Sequence, residues 1–221
     1  YGMRAVLTKL KELVPAPTEI APHSGAIWGS AEKVELQSND DGPFVGQVFK
    51  TVSEPHVGDV TFFRVWSGSV TSGAEAWNVP RETAEKLNHL SVAQGKDRDE
   101  VTRLHAGDIG VVAKLKNTHT NDTLSTLDSP IVLQKIPFPD PLIVMAITVK
   151  NRAQEDKLGM GLHKLHEEDP TFRSGYDPEL GQTIARGLGE LHLNICFEKL
   201  KRKYGVGIDT EEPRIPYRET I

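Results

Sequence analysis

Residues 181–193 read GQTIARGLGELHL, and how this stretch is parsed decides the fold of the C-terminal part of the chain. QTIARG (182–187) has the composition of a short strand, and a run with apolar residues at helical spacing follows from residue 189. Gly187 and Gly189 mark the joint between them. Working outward, TFRSGYD (171–177) reads as a strand, and residues 152–168 carry Leu158, Leu162 and Leu165 on one helical face. LIVMAITVK (142–150) is a buried-strand run, and downstream of the helix over 189–204, VGIDTEE (206–212) is a last strand. Strand, helix, strand, strand, helix, strand predicts a ferredoxin-like βαββαβ domain.

Upstream, IVLQKIPFPDP (131–141), with prolines at 137, 139 and 141, reads as an inter-domain hinge. From Phe44 to about Thr126 the pattern is all β. PFVGQVFKTV, VTFFRVWSG, SVTSGAEAWNV, EKLNHLSV and GDIGVVAKL are short runs rich in Val, Phe, Trp and Thr between Gly, Pro, Asp and Asn turns. Short strands at regular spacing predict a small antiparallel β-barrel, because closure removes exposed edges. The chain opens on an amphipathic pattern (Met3, Val6, Leu7, Leu10, Leu13, Val14) with no capping residue ahead of it, stopped by Pro15, Pro17 and Pro22. The expected organisation is residues 1–22 as the end of an upstream domain and linker, 23–136 as the barrel, and 137–221 as the ferredoxin-like domain. An opening inside a helix suggests a piece of a longer protein.

The composition is that of an ordinary globular protein: 221 residues, 38% hydrophobic and 26% charged. With a net charge of −5 there is no global basic footprint, so any nucleic-acid contact must come from local patches. One cysteine, Cys196, excludes an internal disulfide and a multi-cysteine zinc site, and fits a reducing compartment. The chain lacks an apolar run of membrane-spanning length and a signal-peptide pattern, so the expected location is the cytoplasm, with no membrane partner.

Few side chains suggest chemistry. Glu190 and His192 are two apart, about 200° around a helix, and cannot converge on one proton. Glu190 suits a first helical turn through the macrodipole alone. His192 is open to two readings, a half-buried imidazole satisfied locally or a functional contact. Gly187-x-Gly189 could present N–H groups to an anion, but His192 stands where a dinucleotide loop needs glycine or alanine, so tight-turn geometry is the expected reason for both glycines. His163 and His166, with Glu167, have ligand-compatible spacing but no partner segment, so no metal site is expected. Cys196 within LNICFEKL reads as core. No P-loop or hydrolase signature is present, hence no catalytic residue is expected. Local cations remain: Lys199, Lys201, Arg202 and Lys203 near a helix end, and Arg64, Lys114 and Lys116 near barrel strand ends, where small barrels bind RNA.

These residues carry a resemblance. VGDVTFFRVWSGSVTSG (57–73) followed by AGDIGVVAKLKNTHTNDTL (106–124) resembles the second domain of translation elongation factor G, a β-barrel shared by translational GTPases. EEDPTFRSGYDPELGQTIARGLGELHL (167–193) and LKRKYGVGIDTEEPRIPYRETI (200–221) resemble its ferredoxin-like third domain. Leu188 stands where the family frequently has methionine, and NVPRETAEKLNHL (78–90) departs from its usual charged turn.

The resemblance implies the middle domains of a GTP-driven ribosomal translocase, a monomer whose GTP and Mg²⁺ bind in a preceding domain. Residues 1–14 resemble the last helix of that GTPase domain, and Ile221 falls where a fourth domain would follow. This chain alone would carry no cofactor and no GTPase activity. By the same resemblance the barrel would dock on small-subunit ribosomal RNA around Arg64, Ser67 and Gly68 and near Lys114 and Lys116. Glu168, Asp169, Pro170, Thr171 and Phe172 of EEDPTF, with Gly189, Glu190 and His192, would contact neighbouring domains and a ribosomal protein. The alternatives are a paralogous translational GTPase acting in ribosome recycling, and a non-enzymatic RNA-binding module.

Overall fold

The computed structural model describes residues 2–30, 32–54, 56–95 and 97–216; the end of the PRIPYRETI motif, from Tyr217 to Ile221, lies outside them. The chain forms two compact units, Tyr1–Ile136 and Pro137–Ile221.

The first unit opens with helix α1 (Met3–Leu13), whose apolar stripe is exposed along its whole length. Val14 closes it by donating its N–H to the Leu10 carbonyl, and a 3-10 turn, Pro17–Glu19, follows. The strands are β1 (His23–Ile27), β2 (Lys33–Leu36), β3 (Val45–Glu54), β4 (Gly58–Ser67), β5 (Val70–Thr71), β6 (Glu75–Asn78) and β7 (Thr83–Lys86). They continue as β8 (Ser91–Gln94), β9 (Asp97–Glu100), β10 (Arg103–Leu104), β11 (Ile109–Ala113), β12 (Thr123–Ser125) and β13 (Ile131–Leu133). Eight of them form one antiparallel sheet in the order β7-β6-β12-β3-β4-β11-β8-β9. Its alternate residues drive the curl, because Val48, Phe63, Val65, Ala76, Val112 and Leu124 all point into one core with Phe44, Leu87, Leu90 and Leu104. The ends of the sheet meet through the β5–β10 pair, in which Arg103 stands opposite Thr71 and Leu104 opposite Val70, and the Ser72 N–H donates to the Thr102 carbonyl at 2.9 Å. This is the expected small antiparallel barrel.

A three-stranded sheet, β13-β1-β2, covers one flank over Leu36, Val45, Ile131 and Leu133. Its strand β13 corrects the hinge reading for the first part of IVLQKIPFPDP and agrees with the expected barrel bound at residue 136. Ile131–Leu133 pairs with β1, and the Ile136 N–H donates to Asn121 Oδ1 at 2.8 Å, so residues 131–136 belong to the barrel unit. Likewise SVTSGAEAWNV is two strands around a Gly73 turn (φ +84°), and EKLNHLSV is two strands around His89 (φ +53°). Local composition cannot distinguish one bent strand from two successive strands that pair with different partners.

The second unit is β14 (Ile143–Val149), α2 (Glu155–Glu168), β15 (Arg173–Asp177), β16 (Gln182–Gly187), α3 (Glu190–Tyr204) and β17 (Ile208–Glu211). The sheet order is β15-β16-β14-β17, antiparallel throughout, which is the ferredoxin-like arrangement. Leu158, Leu162 and Leu165 of α2 and Leu193, Cys196, Phe197 and Leu200 of α3 cover Ile147, Phe172 and Ala185. Gly161 lets the helices close, since a Cβ there would lie 2.6 Å from Leu200 Cδ1. Gly205, in the left-handed region at φ +67°, stops α3 with its N–H on the Lys201 carbonyl. Among the described residues no helix is long and apolar enough to cross a membrane.

Candidate functional site

The β16–α3 joint is organised by His192. Its Nδ1 accepts the Leu188 N–H at 3.0 Å, and its Nε2 lies 3.0 Å from Asp169 Oδ2. A nitrogen that accepts a backbone N–H carries no proton, so Nε2 holds the proton and donates it to the carboxylate. The imidazole thus bridges two segments 23 residues apart and joins GELHL to EEDPTF. It also occupies the Leu188 N–H, the donor that a phosphate bound to the Gly187-x-Gly189 loop would need.

The two glycines have different reasons, and neither is a tight turn with positive φ. At Gly187 a Cβ would lie 2.7 Å from Leu193 Cδ2 and 2.9 Å from His192 Nδ1, so close packing requires the absence of a side chain. Gly189 is the extended N-cap residue of α3 (φ −171°), and a Cβ there would meet nothing within 4 Å.

Asp169 sits just past α2, where its N–H donates to the Leu165 carbonyl. Its Oδ1 accepts from the Thr171 N–H (2.9 Å) and Thr171 Oγ1 (2.5 Å), leaving Oδ2 for His192. Burial works against its charge, but the hydrogen bonds from Thr171 and His192 outweigh it and hold the carboxyl below its ordinary value. Beside it, Glu168 has a side chain only 7% exposed and ion-pairs with Lys203 (2.5 Å) and Lys199 (4.0 Å). That pairing assigns two of the helix-end cations a partner inside the domain. The Cys196 thiol lies 3.5 Å from His192 Nε2. Burial and the carboxylates of Asp169 and Glu168, opposed by Lys199, push it up to about 11, so it stays protonated and acts as core.

Of the other predicted residues here, Phe172 is fully buried and its carbonyl accepts from His166 Nδ1 at 2.7 Å, Pro170 is half-buried, and Glu190 is exposed. His163 is exposed, and among the described residues no three His, Cys, Asp or Glu are grouped to hold a metal ion. Around the cluster the apolar side chains of Leu188 and Leu191 are exposed, at 39% and 74%.

The barrel residues divide into two places. β4 and β11 run antiparallel with Arg64 opposite Ile109 and Val60 opposite Ala113, while the Lys114 N–H donates to the Asp59 carbonyl. Arg64 and Lys114 therefore lie at opposite ends of that pair, about 17 Å of strand apart. Arg64 is half-buried and packs on Trp66: its guanidinium lies 4.6 Å from the Trp66 ring centroid, and His23 stacks on Trp66 at 4.0 Å. Burial, with the Arg64 charge second, lowers the His23 pKa.

Ser67 and Gly68, the other two residues of the expected docking loop, are buried. Gly68 (φ +68°) donates its N–H to the Asn39 carbonyl, and a Cβ would lie 2.6 Å from the Gly42 oxygen, so it locks the Asn39–Phe44 turn.

Lys114 and Lys116 are exposed on a loop that sequence reasoning did not see as built. Buried Glu85 accepts from the Lys116 N–H (3.2 Å), the Asn117 N–H (2.6 Å) and Thr118 Oγ1 (3.1 Å). Buried Asp122 takes the His119 N–H, Asn78 Nδ2 and Arg81 Nε. The available signal was an acidic residue on the inward side of TAEK, opposite the polar run NTHTND.

Two family models match this chain. Residues 43–127 match elongation factor G domain 2, and residues 138–212 match elongation factor G domain III. The barrel, the ferredoxin-like unit and the joined EEDPTF–GELHL site thus define a domain pair of a translation elongation factor. A crystal structure of a Thermus thermophilus protein is similar over 98% of this chain at 31% identity, with a TM-score of 0.79; the chain spans 30% of the length of that protein. The chain belongs to the elongation factor G family, of which it carries domains II and III.

Proposed function

We propose that these are the middle domains of a translational GTPase that moves tRNA and mRNA through the ribosome in the cytoplasm. The observation that supports this reading best is the occurrence of both family domains in order on one chain. GTP and Mg²⁺ bind in another domain of the full-length protein, and this chain alone hydrolyses nothing. The barrel docks on small-subunit ribosomal RNA, a role that suits Lys114 and Lys116 because Glu85 and Asp122 hold their loop in one shape, which lowers the cost of ordering it on binding. Arg64, at the other end of β4, contributes to a separate contact. The ferredoxin-like domain relays nucleotide state through the Asp169–His192 junction, a tie between two loops of the kind that a switching element needs.

The test compares ribosome-stimulated GTP hydrolysis and translocation by the full-length parent with the same protein carrying His192→Ala. Native protein is stimulated by ribosomes; the variant still hydrolyses GTP and translocates slowly. A native protein that ribosomes fail to stimulate refutes the translocase reading, and an unaffected variant removes His192 from the relay.

A further inference from the structure

The two bonds of His192 respond in opposite ways to a second proton. At Nε2 the donor already faces a carboxylate, and an imidazolium would bind Asp169 more strongly. At Nδ1 the added proton would point at the Leu188 N–H, replacing an accepted hydrogen bond by two opposed donors. The neutral ring holds both segments, and the charged ring can hold only one. Among the hydrogen bonds of the joint, the Leu188 N–H is anchored by the ring, and the backbone here is flanked by Gly187 and Gly189.

The groups that decide the local charge are few. Asp169 faces the ring from the α2–β15 loop, with its second oxygen committed to Thr171. Cys196 faces it from the next turn of α3 and stays neutral. Behind them Glu168 is offset by Lys203 and Lys199. Glu190, on the opposite side of the first turn of α3, is exposed.

We propose that His192 is a proton-operated latch: the neutral imidazole ties the Leu188 backbone to the Asp169–Thr171 loop, and protonation releases the Leu188 N–H while keeping the loop, the carbonyls of Gly187 and Gly189 staying on the Leu142 and Leu193 N–H groups. The released segment carries Leu188 and leads into Leu191, so the latch controls how the exposed apolar side chains of the joint are presented. This property belongs to the chain itself and does not depend on the ribosomal reading.

The experiment is an NMR titration of the 221-residue chain, following the His192 ring and the Leu188 amide, with hydrogen-exchange protection corrected for the intrinsic pH dependence. The Leu188 amide loses about tenfold in protection, the size of one hydrogen bond, at the same midpoint as the ring, while Ile184 in β16 keeps its protection. In His192→Gln, whose amide oxygen can accept the Leu188 N–H but cannot titrate, the Leu188 protection is independent of pH over that range. In Asp169→Asn, which keeps the Nδ1 side of the ring intact, the Leu188 release still coincides with the titration of the ring itself. A ring that titrates with Leu188 still protected, a ring that never titrates while the domain stays folded, or the same loss of protection in His192→Gln would each overturn the latch.

Discussion

At the scale of single residues, the joint between β16 and α3 makes two neighbouring glycines unequal. Gly187→Ala puts a methyl group against the buried Leu193 and the His192 ring and should cost about 1–3 kcal/mol, as overpacking does. Gly189→Ala enters open space in an extended conformation and should stay within about 1 kcal/mol of native, which urea unfolding of both variants would measure. Asp169 gives the pH prediction. Its carboxyl is held below the ordinary value of 3.8, so between the folded and unfolded values the unfolded chain binds more protons. Its contribution is therefore complete above the unfolded value and is lost as pH falls through the folded one. Asp169→Asn should flatten the acid limb of the stability curve, and an acid limb as steep as the native one would remove Asp169 from it. The residues of this site were legible one by one, since Asp169 and His192 both stand in motifs that the resemblance singles out. Their contact was not, because it spans 23 residues and exists only when α2 and α3 lie side by side on the sheet.

At the scale of elements, α2 contains its own control experiment. Gly159 and Gly161 are both mid-helix, where alanine gains about 0.5–1 kcal/mol by propensity. A Cβ at Gly159 meets nothing within 4 Å, whereas one at Gly161 meets Leu200 Cδ1 at 2.6 Å and the Tyr204 ring at 3.3 Å. Gly159→Ala should raise stability, and Gly161→Ala should fall at least about 1 kcal/mol below it, read by thermal unfolding. Equal effects would mean that the α2–α3 interface is looser than drawn. Helix α2 could be read from Leu158, Leu162 and Leu165 because each helical face repeats within a few residues. Strand β13 could not. Its three residues, Ile131–Leu133, have strand composition, but so short a run ahead of Pro137, Pro139 and Pro141 reads as a connector, and the partner that makes it a strand, β1, has a sequence, HSGAI, with little β signal of its own.

For the whole molecule, the division at Ile136–Pro137 is a statement about cores. Among the described residues no sheet contains strands from both units, and each unit has its own apolar cluster. The two halves, expressed separately, should each give dispersed NMR spectra and a cooperative melt of their own; a half that remains unfolded would show that its core is incomplete without the other. The cationic surface is also a property of this scale. Arg64, Ser67, Gly68, Lys114 and Lys116 are alike in the sequence in lying near strand ends, yet the antiparallel register puts Arg64 and Lys114 at opposite ends of one strand pair and buries Ser67 and Gly68. By itself the sequence determined the order of elements in the ferredoxin-like unit, the β character of the barrel and the family, because periodicity and long motifs are local or linear properties. Only the tertiary structure decided which strands pair, which charges share a face, and that His192 closes on Asp169 and Leu188. The pairings and the Asp169 contact depend on residues far apart in the chain being brought within about 3 Å, and no local pattern encodes that approach.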